Sequence, residues 1–184
     1  MYEELSPKGK AKYNQILDAV QVVICRDGIY ECNHRAVAAE AGVPLGTTTY
    51  YFKTLDDMLS AALGKYFNNF IELSHNWFQQ SLFEDPAENL TEFISWTFAD
   101  YSRLKSEYEL YVAAISRPSL RPLAVNWMQA TKDIISQYIT NDESKAKALT
   151  AVLDAFFLQS LLTGDINFSK KEYIRPFISK ILSD

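Results

Sequence analysis

The sequence predicts an all-α protein: a small three-helix head at the N-terminus, then a larger helical body, about nine helices in all. Three observations carry this. Apolar residues recur at three- and four-residue steps through most of the chain, and no alternating run is long enough for a strand. Gly9, Gly28, Gly42, Gly46 and Gly64 all fall near the N-terminus, so short elements cluster there, and only Gly164 follows. The later breaks come at Asp85-Pro86, Pro118, Pro122, Asn141-Asp142 and Thr163-Gly164-Asp165, which leave room for long helices.

The elements follow in order. Ile16, Leu17, Val20, Val23 and Ile24 share one face of a first helix over Lys8–Arg26, and Asp27-Gly28 reads as its C-cap. A short helix over Asn33–Ala41 starts on Asn33 as N-cap and is broken by Gly42. A second short helix covers Leu45–Tyr51. A longer one runs from Leu55 past Trp77, with Asp56 and Asp57 at its positive N-terminal end. The body then holds helices at Ala87–Leu104, Glu107–Ser116, Arg121–Ile139, Glu143–Leu162 and Lys170–Leu182. The expected division is residues 1–54 for the head and 55–184 for the body.

Composition narrows the function classes. Hydrophobic residues make up 48% and charged residues 22%, which excludes a disordered chain. The net charge is −5, so nothing here coats nucleic acid through bulk positive charge. Cys25 and Cys32 lack CxxC spacing and only two histidines accompany them, so no metal site and no cofactor are expected. The first residues lack an apolar signal region, and the best apolar run, Ala151–Leu162, contains Asp154 and Gln159. A cytoplasmic protein with no membrane partner is the expectation. No P-loop, GxGxxG, HExxH or Ser-His-Asp order is legible, and the carboxylate pairs Asp56-Asp57 and Asp142-Glu143 sit at helix starts. An enzyme is therefore not expected.

The head carries the sharpest pattern. With Gly42 as the turn, Ala38 lies four residues earlier, where two helices cross closely, and Val37, Ala41 and Val43 pack around it. That is helix-turn-helix spacing. The full stretch His34-Arg-Ala-Val-Ala-Ala-Glu-Ala-Gly-Val-Pro-Leu-Gly-Thr-Thr-Thr-Tyr-Tyr-Phe52 resembles the TetR/AcrR-type repressors, whose heads read approximately T-x-x-x-[IV]-A-x-x-A-G-V-S-x-G-T-[LT]-Y-x-[HY]-F. The resemblance covers about Lys8 to Leu63. It departs at Thr48, where many members carry Leu, at Thr49, where many carry Tyr, and at Leu55, where a Lys is common.

The resemblance implies a ligand-responsive regulator, in most such families a repressor, that binds a pseudo-palindromic double-stranded DNA operator as a homodimer. It implies DNA contacts from Lys8, Asn33, Arg35, Leu45, Gly46, Thr47, Thr48, Thr49, Tyr50, Tyr51 and Lys53, with Phe52 packing inward. Backbone and Lys/Arg contacts to phosphate would fix register, and hydroxyls and methyls on the second short helix would meet base edges. Residues 1–65 hold seven basic and eight acidic side chains, a net of −1, so Lys8, Lys10, Lys12, Arg35 and Lys53 must act as a local patch.

In the body, Trp77, Trp96, Tyr101, Tyr111 and Trp127 are the candidate ligand-binding residues, among further rings at Phe78, Phe93 and Phe98. Such rings either fill a core or line a cavity for a small apolar or aromatic effector. His75 and Asn126 are nearby polar groups, and Arg117 and Arg121 flank Pro118. Two apolar stripes, Leu149, Val152, Leu153, Phe156, Phe157, Ser160 and Leu161, then Ile174, Phe177, Ile178, Ile181 and Leu182, suggest a homodimer through the last two helices. The alternative reading is a helical small-molecule-binding or protein-interaction module with a non-functional DNA-binding head. Cys25 and Cys32 read as small packing residues.

Overall fold

Local caps set the helix boundaries in the computed structural model, which describes residues 2–164 and 171–183. Helix α1 (Pro7–Asp27) starts where the Ser6 hydroxyl accepts the Gly9 N–H, with Pro7 supplying a ready-made φ, and stops at Gly28, whose φ is +89°. Helix α2 (His34–Glu40) is capped by the Asn33 side chain, which accepts the Arg35 and Ala36 N–H groups. At Gly42, φ is +60°, and the Val43 N–H reaches the Ala38 carbonyl at 2.9 Å, which turns the chain into α3 (Leu45–Tyr51). Thr54 and Asp57 exchange side-chain and backbone hydrogen bonds at the start of α4 (Leu55–Gln80), a capping box with Asp at the fourth position.

Five more helices follow among the described residues: α5 (Pro86–Phe98), α6 (Tyr101–Ser116), α7 (Arg121–Tyr138), α8 (Glu143–Thr163) and α9 (Lys171–Ser183). No strand occurs among these residues. The all-α fold is as the sequence predicts, but one boundary is not. The expected break between Leu104 and Glu107 lies earlier, at Ala99-Asp100, and Leu104 and Glu107 are both inside α6. Asp100 causes the shift: its carboxylate accepts the Arg103 N–H at 3.0 Å and starts the new helix. The expected start of the last helix at Lys170, and the turn residue Asp165, lie outside the described residues.

The chain divides into two compact units. The first comprises the residues up to Asn68 together with Ser106–Ala124; the second comprises Asn69–Lys105 and the chain from Val125 onward. In the first, α2 packs on α1 and α3 around Ile16, Leu17, Val20, Ile24, Val37 and Ala38. The C-terminal part of α6 belongs here too. Arg121 closes its end by donating to the Ala114 and Ile115 carbonyls. In the second unit, Asp142 caps α8 by accepting the Ser144 and Lys145 N–H groups, and Gly164 at φ +68° ends it. Helix α9 is tied to α5 by Lys171–Glu92 and by Arg175, which reaches Asp85 at 3.0 Å and Glu88 at 2.8 Å.

Helix α8 is 21 residues long with a mean hydropathy of 1.3 over its best window, long and apolar enough by length and composition to cross a membrane. Alanines between the larger apolar residues dilute its few charges. One such helix is weak support for a span, because a helix that packs against protein on both sides has the same composition.

Both cysteines are free thiols. Burial pushes the Cys32 thiol up to about 11, a shift that the nearby Arg117 guanidinium only partly offsets. Its thiolate is therefore scarce at pH 8, and its side chain is 1% exposed. Iodoacetamide at pH 8 is expected to label Cys25 in the native protein and to reach Cys32 only after unfolding. Equal labelling of the two would contradict this. The raised value also means that the buried thiol favours folding in its protonated form. This contribution is lost as pH rises from the ordinary thiol value, 9.0, through about 11.

Candidate DNA-binding and effector sites

Helix α3 has two distinct sides. Leu45, Gly46, Thr49 and Tyr50 are exposed, Thr47 is half-buried, and Lys53 is exposed just beyond the helix end. Tyr50 is 67% exposed. Lys8, Asn33 and Arg35 are also exposed in the same compact unit. The sequence assigned all of these residues to DNA, and none of them is buried. Thr48 and Tyr51 do not join them. Thr48 is completely buried, and the Tyr51 ring is nearly so, edge-on to Tyr13 and Tyr50. The expected base contact from Thr48 is therefore corrected. At 3.6 residues per turn, positions 48, 51 and 52 face the head's own core.

The buried Thr48 hydroxyl has a partner that sequence reasoning missed. It donates to the Leu45 carbonyl at 2.9 Å, so the 3.2 Å contact with His34 Nδ1 is an N–H donated by the imidazole. His34 begins α2, so this bond ties α2 to α3. The departure from Leu at position 48 thus comes with a compensating polar group at position 34, and that pairing was the available signal. Thr48→Val is expected to cost about 1–2 kcal/mol by leaving the imidazole N–H without its acceptor. Urea unfolding checks this; an unchanged midpoint would rule it out.

Three of the five candidate ligand residues come together in the second unit. Phe70 is the hub: Trp127 stacks on it at 6.1 Å and 17°, Trp96 at 6.2 Å and 14°, and Phe93 lies 6.4 Å away. Trp77 joins through Phe78, Phe93 and Trp96. The buried Arg103 guanidinium sits 4.4 Å over the Phe70 ring and 5.2 Å over Trp96, and donates to the Thr97 carbonyl. Tyr138 stacks on Phe78 and meets His75 Nδ1 at 3.0 Å.

Tyr101 and Tyr111 do not join this cluster. Tyr101 is 45% exposed at the start of α6, and Tyr111 belongs to the first unit, where its hydroxyl donates to Glu107. Asn126 is exposed. Arg117 pairs with Asp56 and Arg121 caps α6, so both have structural partners. The buried hydroxyls of Ser74, Thr91, Thr97 and Thr150 all donate to the carbonyl four residues back. The interior around the rings therefore keeps few donors for anything else.

Residues 56–184 match the tetracyclin repressor-like C-terminal domain. The chain is a TetR-family regulator. Its head, which lies outside that match, carries the helix-turn-helix geometry described above. Among solved structures, the multidrug binding protein EbrR complexed with ethidium is 36% identical with a TM-score of 0.77, over 92% of this chain and 98% of that one. A TetR-family member from Streptomyces coelicolor A3 is 37% identical with a TM-score of 0.78, over 92% of this chain and 97% of that one. The fatty acid metabolism regulator protein of Bacillus subtilis is 26% identical over 85% of this chain and 72% of that protein. These relatives are regulators or ligand-binding members of one fold. This TetR-family chain is accordingly a ligand-responsive, DNA-binding transcription regulator.

Proposed function

We propose that the chain represses transcription as a homodimer on a pseudo-palindromic operator, and that a flat, apolar or aromatic effector releases it. The carrying observation is the outward side of α3, where Leu45, Gly46, Thr49 and Tyr50 stand free beside Lys53. Lys8, Asn33 and Arg35 hold phosphates, and Thr47 adds a half-buried hydroxyl to the groove face. In this reading residues 1–54 bind DNA, and residues 55–184 sense the effector and dimerise. The chain is not an enzyme in this reading, and it works in the cytoplasm.

Two features support the effector class. Trp77, Trp96 and Trp127 surround Phe70 and Phe93, and the neighbouring hydroxyls are turned onto backbone carbonyls. EbrR has been crystallised with ethidium, proflavin and malachite green, and that similarity argues for a flat aromatic ligand here.

Part of the stripes read in the sequence packs within the subunit. Leu149, Leu153, Phe157, Ser160, Ile174 and Ile178 are buried within the subunit. The exposed apolar residues of α8 are Ala148, Ala151, Ala155, Leu158 and Leu162, at steps of three and four. Tyr173 and Phe177 of α9 are also exposed, and Phe177 touches Phe156. A second copy covers this face in the proposal.

A mobility-shift titration with the upstream intergenic DNA, without and with ethidium or proflavin, tests the reading. A specific complex that ethidium or proflavin dissolves is the expected result. No sequence preference at low salt would sink it. A species of about 21 kDa by sedimentation at micromolar concentration would sink the dimer.

A further inference from the structure

We propose that Glu109 of α6 is a positioning residue for operator binding: its carboxylate seats the turn between α1 and α2, and so sets the pitch of the helix-turn-helix. The Ile29 N–H donates to Glu109 Oε2 at 3.1 Å. Ile29 is fully buried, so this amide depends on a protein acceptor, and none is supplied by its own helix. The second carboxylate oxygen lies against Gly28, where an added Cβ would stand 3.5 Å from it. A carboxylate at the negative end of a helix is unfavourable unless it accepts such a bond, so the contact is directional.

Other bonds in the same compact unit hold α6 in register with this turn. The buried Gln21 amide donates to Ser106 at 2.7 Å, and the Tyr30 hydroxyl meets Ser116 at 3.4 Å. The far side of the motif is held by the same stretch of chain. Asp56, at the start of α4, accepts Arg117 at 3.3 Å and also Ser119. Helices α2 and α3 therefore lie between two points, the turn at Gly28–Ile29 and the start of α4, and both are fixed by side chains from 106–124. Glu109 touches no DNA-facing residue; it acts through the Ile29 backbone.

The inference rests on the operator-binding reading. The full-length chain is first used to select duplexes from a random pool. Wild type, Glu109→Ala, Glu109→Gln and Glu109→Asp are then compared on a selected duplex, on an unselected duplex of equal length, and by amide exchange at Ile29. Glu109→Ala is expected to lose about tenfold or more on the selected duplex, with little change on the unselected one and faster Ile29 exchange. Glu109→Gln keeps an acceptor and should stay within about threefold of wild type, whereas Glu109→Asp, one methylene short, should show the loss. If Glu109→Ala does not fold, the contrast between Gln and Asp decides. Wild-type affinity in Glu109→Asp, or equal losses on both duplexes, overturns the proposal. Failure of the wild-type chain to enrich any duplex overturns the operator reading instead, while Ile29 exchange still reports on Glu109.

Discussion

Phe70→Ala is expected to destabilise the protein by about 3–5 kcal/mol. Phe70 is only 6% exposed, stacks on Trp96 and Trp127, and lies under the Arg103 guanidinium. Truncation removes the transfer energy of a whole ring and leaves a void that stiff tryptophans refill poorly. It also leaves the buried guanidinium facing empty space where it had a π face. Urea unfolding followed by tryptophan fluorescence reads the change directly. A loss below about 1 kcal/mol would mean that the rings close over the gap, and the cluster would then be a plastic lining rather than a packed centre.

Gly46→Glu is expected to abolish operator binding, by more than about a hundredfold, with the melting temperature nearly unchanged. An added Cβ at Gly46 meets nothing within 4 Å, and the backbone there is helical, so the substitution should fold. The new carboxylate would stand on the exposed side of α3, beside Leu45 and Tyr50. In a dimer it would be presented to the phosphates twice, and its repulsion would weaken as salt rises. Specific binding by Gly46→Glu equal to wild type would remove α3 from the DNA surface. Together with a thermal melt, the same gel shift separates this from a folding defect.

Much of the fold was legible because helices leave local signatures. Ser6, Asn33 and Asp142 cap as their side chains allow, and Gly28, Gly42 and Gly164 take the positive φ that ends a helix or turns it. The misplaced break between α5 and α6 shows the limit. Asp100 looks like one acid among many until its contact with the Arg103 N–H is seen. The outer side of α3 was readable from helical period, but the notion that every hydroxyl on it faces DNA was not. Thr48 is a polar residue in a core position, and its bonds to the Leu45 carbonyl and to His34 make that tolerable. For the aromatic residues, sequence could count rings but not sort them. Trp96 and Trp127 meet because α5 and α7 bring them to Phe70 of α4, Trp77 of α4 joins through Trp96, and nothing local distinguishes them from Tyr101, which ends on the surface. The stripes on α8 and α9 divide: Leu149, Leu153, Phe157, Ser160, Ile174 and Ile178 are buried in the subunit, while Phe177 is exposed. Helix α8 is apolar on more than one side, so period alone does not say which side faces its own subunit.

The membership of Ser106–Ala124 in the first compact unit bears on recombination between relatives. A hybrid regulator joined at residue 54 would carry a head cut away from Ser106, Glu109 and Ser116, the side chains that Gln21, Ile29 and Tyr30 of the head bond. Grafting one relative's DNA specificity onto another's sensor should therefore work best when the donor segment at 106–124 travels with the donor head. The unit of inheritance for operator choice is discontinuous along the chain, and changes at the α1–α2 turn and on α6 are expected to be exchanged as a set.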